Sequence, residues 1–169
     1  MIYEKALKPL LFQLDAETAH DLTIKTLSVI GKLIPRKKIN DYGLLSTKIA
    51  GIKFPNKIGL AAGLDKNCMA PFAWQGLGFG FIEVGTVTAQ PQEGNPKPRL
   101  FRLKQESSLL NRLGFNNLGA ASVAGRLSDL KQDSNFIIPI GCNIGKSRVV
   151  SAEDTEKVID DYLCSLKLV

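Results

Sequence analysis

Four short stretches carry residues whose types and spacing could do chemistry. Ala61-Ala62-Gly63-Leu64-Asp65-Lys66-Asn67 sets small residues beside an ammonium group. Small residues let a backbone approach a flat or anionic ligand, and a cation there can hold an anion or stabilise one as it forms. A tight strand-to-helix turn with a solvated Lys66 is the plain structural alternative. Asp65, the one acid in this stretch, is expected to orient the turn rather than act as a base. Gly85-Thr86-Val87-Thr88 offers two hydroxyls, which turns ordinarily spend on their own backbone. Asn111-Arg112-Leu113-Gly114-Phe115-Asn116-Asn117 gathers three amides and a guanidinium around a glycine. Each amide presents both a donor and an acceptor, which suits a cyclic amide or imide. The alternative is an Asn-rich turn in which Asn117 caps the next helix. Asn143-Ile144-Gly145-Lys146 repeats the Asn, Gly and Lys theme.

No stretch offers a carboxylate pair or a Cys/His cluster, and His20 is the single histidine. Metal-dependent hydrolysis and a Ser-His-Asp triad are therefore not expected, nor is a metal ligand set. There is no Walker lysine pattern and no G-x-G-x-x-G after a strand.

The elements that must position these groups fall into two regions. Residues 1–47 read as helical: Tyr3, Leu7, Leu10 and Leu11 recur at helical spacing, and Pro9 marks a break or kink. Asp15 is a good N-cap for a second helix, with Ala19, Leu22, Thr23, Leu27 and Ile30 on one side before Gly31 and Pro35. The basic cluster Arg36, Lys37 and Lys38 follows, so the pair can cap a domain or lie in a membrane interface. From residue 48 the pattern becomes strand–helix, three times over. A hairpin about Ala50-Gly51 comes first. Strands are then expected at 58–62, 81–86 and 136–143, and helices at 68–75, 118–130 and from Ser151 toward Leu168, with Ser151 and Asp154 as a capping box. Residues 99–103 and 108–112 read as extended pieces in a long excursion. This alternation points to a parallel sheet with crossover helices, and a doubly wound sheet and a β/α barrel both satisfy it. In either, ligands bind at the carboxyl ends of the strands, where the four stretches lie.

Composition sets the outer limits. In 169 residues, 44% are hydrophobic and 22% charged, close to the soluble average, which rules out wholesale disorder. Twenty-two Lys and Arg against sixteen Asp and Glu give a net charge of +6. That balance fits nucleic acid, anionic lipid or an anionic small molecule alike. Three cysteines without metal-ligand spacing fit a reducing compartment. The opening residues lack the core of a secretory signal and the composition of an organelle leader, so the mature chain is expected to start near Met1.

Gly59-Leu60-Ala61-Ala62-Gly63-Leu64-Asp65-Lys66, Glu83-Val84-Gly85-Thr86-Val87-Thr88, Pro98-Arg99-Leu100-Phe101-Arg102, Asn111 to Asn117 and Asn143 to Lys146 occur in this order. Together they resemble quinone-dependent (class 2) dihydroorotate dehydrogenase. The likeness runs over essentially the whole chain and includes Leu11 to Asp15 and Ala19-His20. The resemblance implies an α/β fold: a partial TIM-type β/α barrel of three units over 48–169, behind a helical extension over 1–47 that gives access to membrane and quinone. It implies FMN as cofactor, dihydroorotate oxidised to orotate in pyrimidine synthesis, and a membrane quinone as electron acceptor. Ala62, Gly63, Leu64, Asp65, Lys66, Thr86 and Asn143 would meet the flavin. Lys66 with Asn111, Arg112, Leu113, Gly114 and Phe115 would meet the substrate, and His20 and Arg102 would lie at the quinone access. Nucleic acid is not an expected partner. An anionic membrane surface is, with the chain held peripherally on the cytoplasmic face of a bacterial membrane.

The family's base is a Ser within an Asn-Ser-Ser-Pro-Asn segment that does not occur in residues 1–169. The chain alone is accordingly expected to be inactive, with no catalytic base of its own. The other reading is a non-catalytic binding or membrane-surface module.

Overall fold

The structure, a computed structural model, describes residues 3–34 and 43–169. Arg36, Lys37 and Lys38 lie outside the described residues.

A π-helical turn over Tyr3–Leu7 runs into α1 (Lys8–Leu11), which carries Pro9 near its start, where a missing N–H is harmless. Asp15 caps α2 (Ala16–Ile30), its carboxylate accepting from the N–H groups of Glu17 and Thr18. The expected inward side is only half right. Ala19 is buried and Leu27 is packed on the core, but Leu22 and Ile30 are exposed, while Glu17 and Ile24 turn in. The helix has rotated so that an acid near its start can reach a buried partner.

β1 (Thr47–Ile49) and β2 (Ile52–Phe54) pair antiparallel around Ala50 and Gly51, both at positive φ, as a two-residue hairpin turn requires. β3 (Gly59–Leu60), β4 (Phe81–Thr88) and β7 (Ile140–Gly145) then form a parallel sheet in the order β3-β4-β7. The strand expected over 136–143 starts and ends later. Asp133 and Asn135 build a turn first, and the Pro139 carbonyl accepts from the Ile82 N–H just ahead of the ladder. α3 (Pro71–Gly76), α4 (Ala120–Gln132) and α5 (Thr155–Leu168) follow the three strands. The extended pieces of the excursion are β5 (Leu100–Leu103) and β6 (Ser108–Asn111), paired with each other as a hairpin.

One face of the sheet is apolar. Ile82, Val84 and Val87 pack with Phe72, Ala73 and Trp74 of α3 and with Val123, Leu127 and Leu130 of α4, and Ile24 of α2 joins this core. The other face carries Glu83, Thr86 and Asn143, all half-buried. The bulge between Val84 and Val87 shifts the register near the ends of these strands. Three parallel strands in chain order, each followed by a helix on one face, make three consecutive units of a β/α barrel.

Two caps differ from expectation. Asp154 rather than Ser151 caps α5, accepting from the Lys157 N–H. Asn117 does not cap α4, whose N-cap is Gly119. Its buried amide accepts instead from the N–H groups of Thr88 and Gly119 and donates to the Thr88 hydroxyl.

Candidate functional site

The loop after β3 is shaped by Asp65. Its carboxylate, 1% exposed, accepts from Met69 N (2.7 Å), Ala70 N (2.8 Å) and Trp74 Nε1 (2.9 Å). Asp65 therefore turns the chain into α3, as the sequence indicated, and leaves only its backbone to face a ligand. The loop is stitched to β4 by Gly63 N to Gly85 O (2.8 Å) and Gly85 N to Lys66 O (3.1 Å). Between those ties Gly63 and Leu64 are exposed, and a Cβ on Gly63 would meet open space. This gives an open backbone shelf at the carboxyl end of the sheet.

Lys66 sits at the edge of that shelf, half-buried. Among the described residues its ammonium makes no hydrogen bond or ion pair. Burial, and then the Arg99 charge, hold it below the ordinary lysine range, with Glu17 and Asp21 pulling the other way. The three N–H donors of Lys66 are therefore all open to an acceptor from outside the described residues. His20 of α2 shares a cavity of about 320 Å³ with Lys66, Asp21, Leu64 and Asn116. Burial, and then the Lys66 charge, lower the His20 pKa, with Asp21, Asp65 and Glu17 pulling the other way.

Thr86 and Asn143 meet across β4 and β7. The Thr86 hydroxyl donates to Asn143 Oδ1 (2.7 Å), and Asn143 Nδ2 donates to Glu83 Oε1 (3.2 Å). Thr86 keeps acceptor capacity and Asn143 keeps one N–H, so an acceptor and a donor lie side by side. Glu83 was not anticipated. The only signal for it is an acid in the middle of the apolar run Phe81-Ile82-Glu83-Val84. Thr88, by contrast, is buried and spends its hydroxyl on Gln90 O (2.6 Å), the structural use expected of turn threonines. Lys146 also turns away, donating to the carbonyls of Ser147 and Val150.

The Asn111–Phe115 segment leaves β6 exposed at Asn111 and continues through Gly114 (φ +74°) and Phe115 (φ +55°). Arg112 is structural: its guanidinium donates to Pro98 O and lies over the Phe101 ring. The shoulder of the segment is pinned beside Lys66, where Leu118 N donates to Asn67 Oδ1 (2.9 Å). Arg102 lies elsewhere. It donates to Leu14 O (2.7 Å) and Leu11 O (3.2 Å) and covers the Phe12 ring, tying β5 to the link between α1 and α2. His20 thus lies within the first half of α2, and Arg102 meets the link just before that helix begins.

Among the described residues no three His, Cys, Asp or Glu side chains gather as a metal site would need. Burial, and then Asp65, push the Cys68 thiol up to about 12, which leaves it inert.

A family model described as dihydroorotate dehydrogenase matches residues 44–169. The chain belongs to the dihydroorotate dehydrogenase family. It is 47% identical over 99% of its length to a dihydroorotate dehydrogenase (quinone) of Chloroflexus aurantiacus, and covers 47% of that protein. It is 45% identical over its full length to the one of Methylococcus capsulatus, of which it covers 48%. Its fold matches DHODH of Eimeria tenella, solved in complex with ferulenol, with a TM-score of 0.73 and 39% identity, over 90% of this chain and 40% of that one. The chain spans about half the length of the curated relatives it matches. The partial barrel read from the sequence is thus the family's fold.

Proposed function

We propose that this chain builds the flavin and substrate face of a quinone-dependent dihydroorotate dehydrogenase acting in pyrimidine biosynthesis. The observation that carries the reading is Lys66: a half-buried ammonium without a hydrogen-bond or ion-pair partner among the described residues, at the carboxyl end of a parallel strand. The chemistry of the groups around it fits FMN. The open shelf Ala62 to Lys66 suits a flat ring, and the paired acceptor and donor of Thr86 and Asn143 suit an imide edge. When bound, FMN supplies the two-electron acceptor that links dihydroorotate to a membrane quinone.

In this reading Lys66 holds the substrate carboxylate, while Asn111 and the loop through Phe115 hydrogen-bond the pyrimidine ring. Residues 1–47 form the quinone-access extension and 48–169 the barrel part. His20 of α2 lines the cavity beside Lys66, and Arg102 fixes the start of the extension against β5. The proton-accepting Ser of the family belongs to a segment outside residues 1–169. No described helix is long and apolar enough to cross a membrane. We place the protein peripherally on the cytoplasmic face of a bacterial membrane, with the apolar side chains of α1 and the basic cluster 36–38 meeting anionic lipid.

Orotate titration of the flavin-loaded enzyme, followed on the flavin absorption band, tests this. A charge-assisted hydrogen bond contributes about 1.5–3 kcal/mol, so Lys66→Ala should weaken orotate by about tenfold or more. Stopped-flow reduction by dihydroorotate should slow as well. Unchanged orotate affinity in Lys66→Ala would defeat the reading.

A further inference from the structure

The loop between β4 and β5 grips the Asn111–Phe115 segment by its carbonyl groups. Asn95 Nδ2 donates to Arg112 O (2.7 Å), Asn95 N to Leu113 O (3.0 Å) and Gln92 Nε2 to Gly114 O (3.1 Å). Three consecutive carbonyls of one segment are therefore all held by two residues of another. The acceptor ends of the same two amides point to a third loop, the one after β7. Gln92 Oε1 accepts from Arg148 N (3.0 Å), and Asn95 Oδ1 accepts from Arg148 Nη2 (2.5 Å). Arg148 Nη1 adds a bond to Gly94 O (3.2 Å). The contact is close on both sides. A Cβ on Gly114 would lie 2.9 Å from Asn95 Cγ, and one on Gly94 would lie 2.2 Å from Leu113 O.

We infer that Asn95, with Gln92 and Arg148 beside it, is a positioning residue for the pyrimidine substrate: it fixes the Asn111–Phe115 loop relative to β7, the strand that carries Asn143. The inference rests on the reading of 111–115 as the substrate loop. An amide is the side chain that fits this place, because it must donate to a carbonyl on one side and accept from a guanidinium on the other. Alanine does neither, and the loop, released from one of its three carbonyl anchors, must then be ordered by the ligand at a cost in affinity. Asn95 touches no reacting atom, so its loss acts on binding more than on the chemical step.

The test compares Asn95→Ala, Asn95→Asp and Asn111→Ala in the flavin-loaded enzyme, by orotate titration and by steady-state kinetics with dihydroorotate. Hydrogen exchange over residues 108–118 of the 169-residue chain supplies a readout independent of activity. Asn95→Ala is expected to raise the orotate Kd and the dihydroorotate KM by about three- to tenfold, to leave kcat within about twofold, and to speed exchange in the loop. Asn95→Asp keeps the acceptor for Arg148 but faces Arg112 O with an oxygen. It should show the same KM effect, and it carries the test where alanine compromises folding. Orotate affinity that falls in Asn111→Ala but holds in both Asn95 variants would overturn the inference and leave the substrate loop standing. Orotate affinity unmoved by Asn111→Ala would remove the substrate loop itself, and this inference with it.

Discussion

Asp65 shows how a site can be built by a residue that never touches the ligand. Three donors converge on its carboxylate from the turn and from α3, and two of them, Ala70 N and Trp74 Nε1, are buried with it. Asp65→Ala leaves two backbone N–H groups and an indole N–H without an acceptor, at a cost of about 3–5 kcal/mol. Thermal unfolding should drop accordingly, and Asp65→Asn, which keeps one acceptor oxygen, should recover part of the loss. An unchanged midpoint in Asp65→Ala would show that the turn holds without it. This role was legible in the sequence, because the acid and its donors lie within nine residues of one another. Glu83 and Asn95 were not legible, for the opposite reason. Their partners, Asn143 and Arg148, lie 60 and 53 positions away, and only the parallel register and the loop packing bring them together.

At the scale of elements, α2 is held to the barrel by a buried ion pair. Arg99 meets Glu17 through Nε at 3.1 Å and Nη2 at 2.6 Å, and its remaining amino group holds the carbonyls of Glu93 and Asn95. Lys97 adds an exposed contact to the same carboxylate. The Asp15 cap announced where α2 begins, but hydrophobic periodicity gave its inward side imperfectly. Periodicity cannot see that Glu17 has a guanidinium 82 residues on. Arg99 holds the Glu17 carboxyl below the usual range. A folded pKa below the unfolded one adds stability that is present above the unfolded value, near 4.3 for Glu, and is lost as pH falls through the folded value. Urea unfolding between pH 7 and 3 should therefore show wild type losing stability in acid more steeply than Glu17→Gln. At pH 7 that variant leaves Arg99 buried without its counter-charge and should be less stable by about 3–5 kcal/mol. Parallel pH profiles for the two proteins would show that the pair does not hold α2.

For the molecule as a whole, strand–helix alternation was enough to foresee a parallel sheet. It could not choose the barrel, because three units satisfy either architecture until the strand order is known. Among the described residues the order β3-β4-β7 leaves β3 and β7 each with one unpaired edge. α5 adds a second uncovered surface, since its polarity is reversed. Its buried residues are Asp161, which accepts from Ser147 N at 2.8 Å, and Ser165. Ile159, Tyr162, Leu163 and Leu166, spaced for one helical side, are 53%, 38%, 40% and 62% exposed. An apolar stripe of this kind on the outward side of a helix favours association, at about 1.5–3 kcal/mol for each large side chain fully buried. The 169-residue chain in solution is therefore expected to self-associate at micromolar concentration, and sedimentation velocity measures it directly. Ile159→Glu combined with Leu166→Lys should shift the chain toward monomer without disturbing Asp161. Association that survives the double change would place the contact on the open sheet edges instead, and a wild-type monomer at every concentration would show that neither surface is sticky enough to matter.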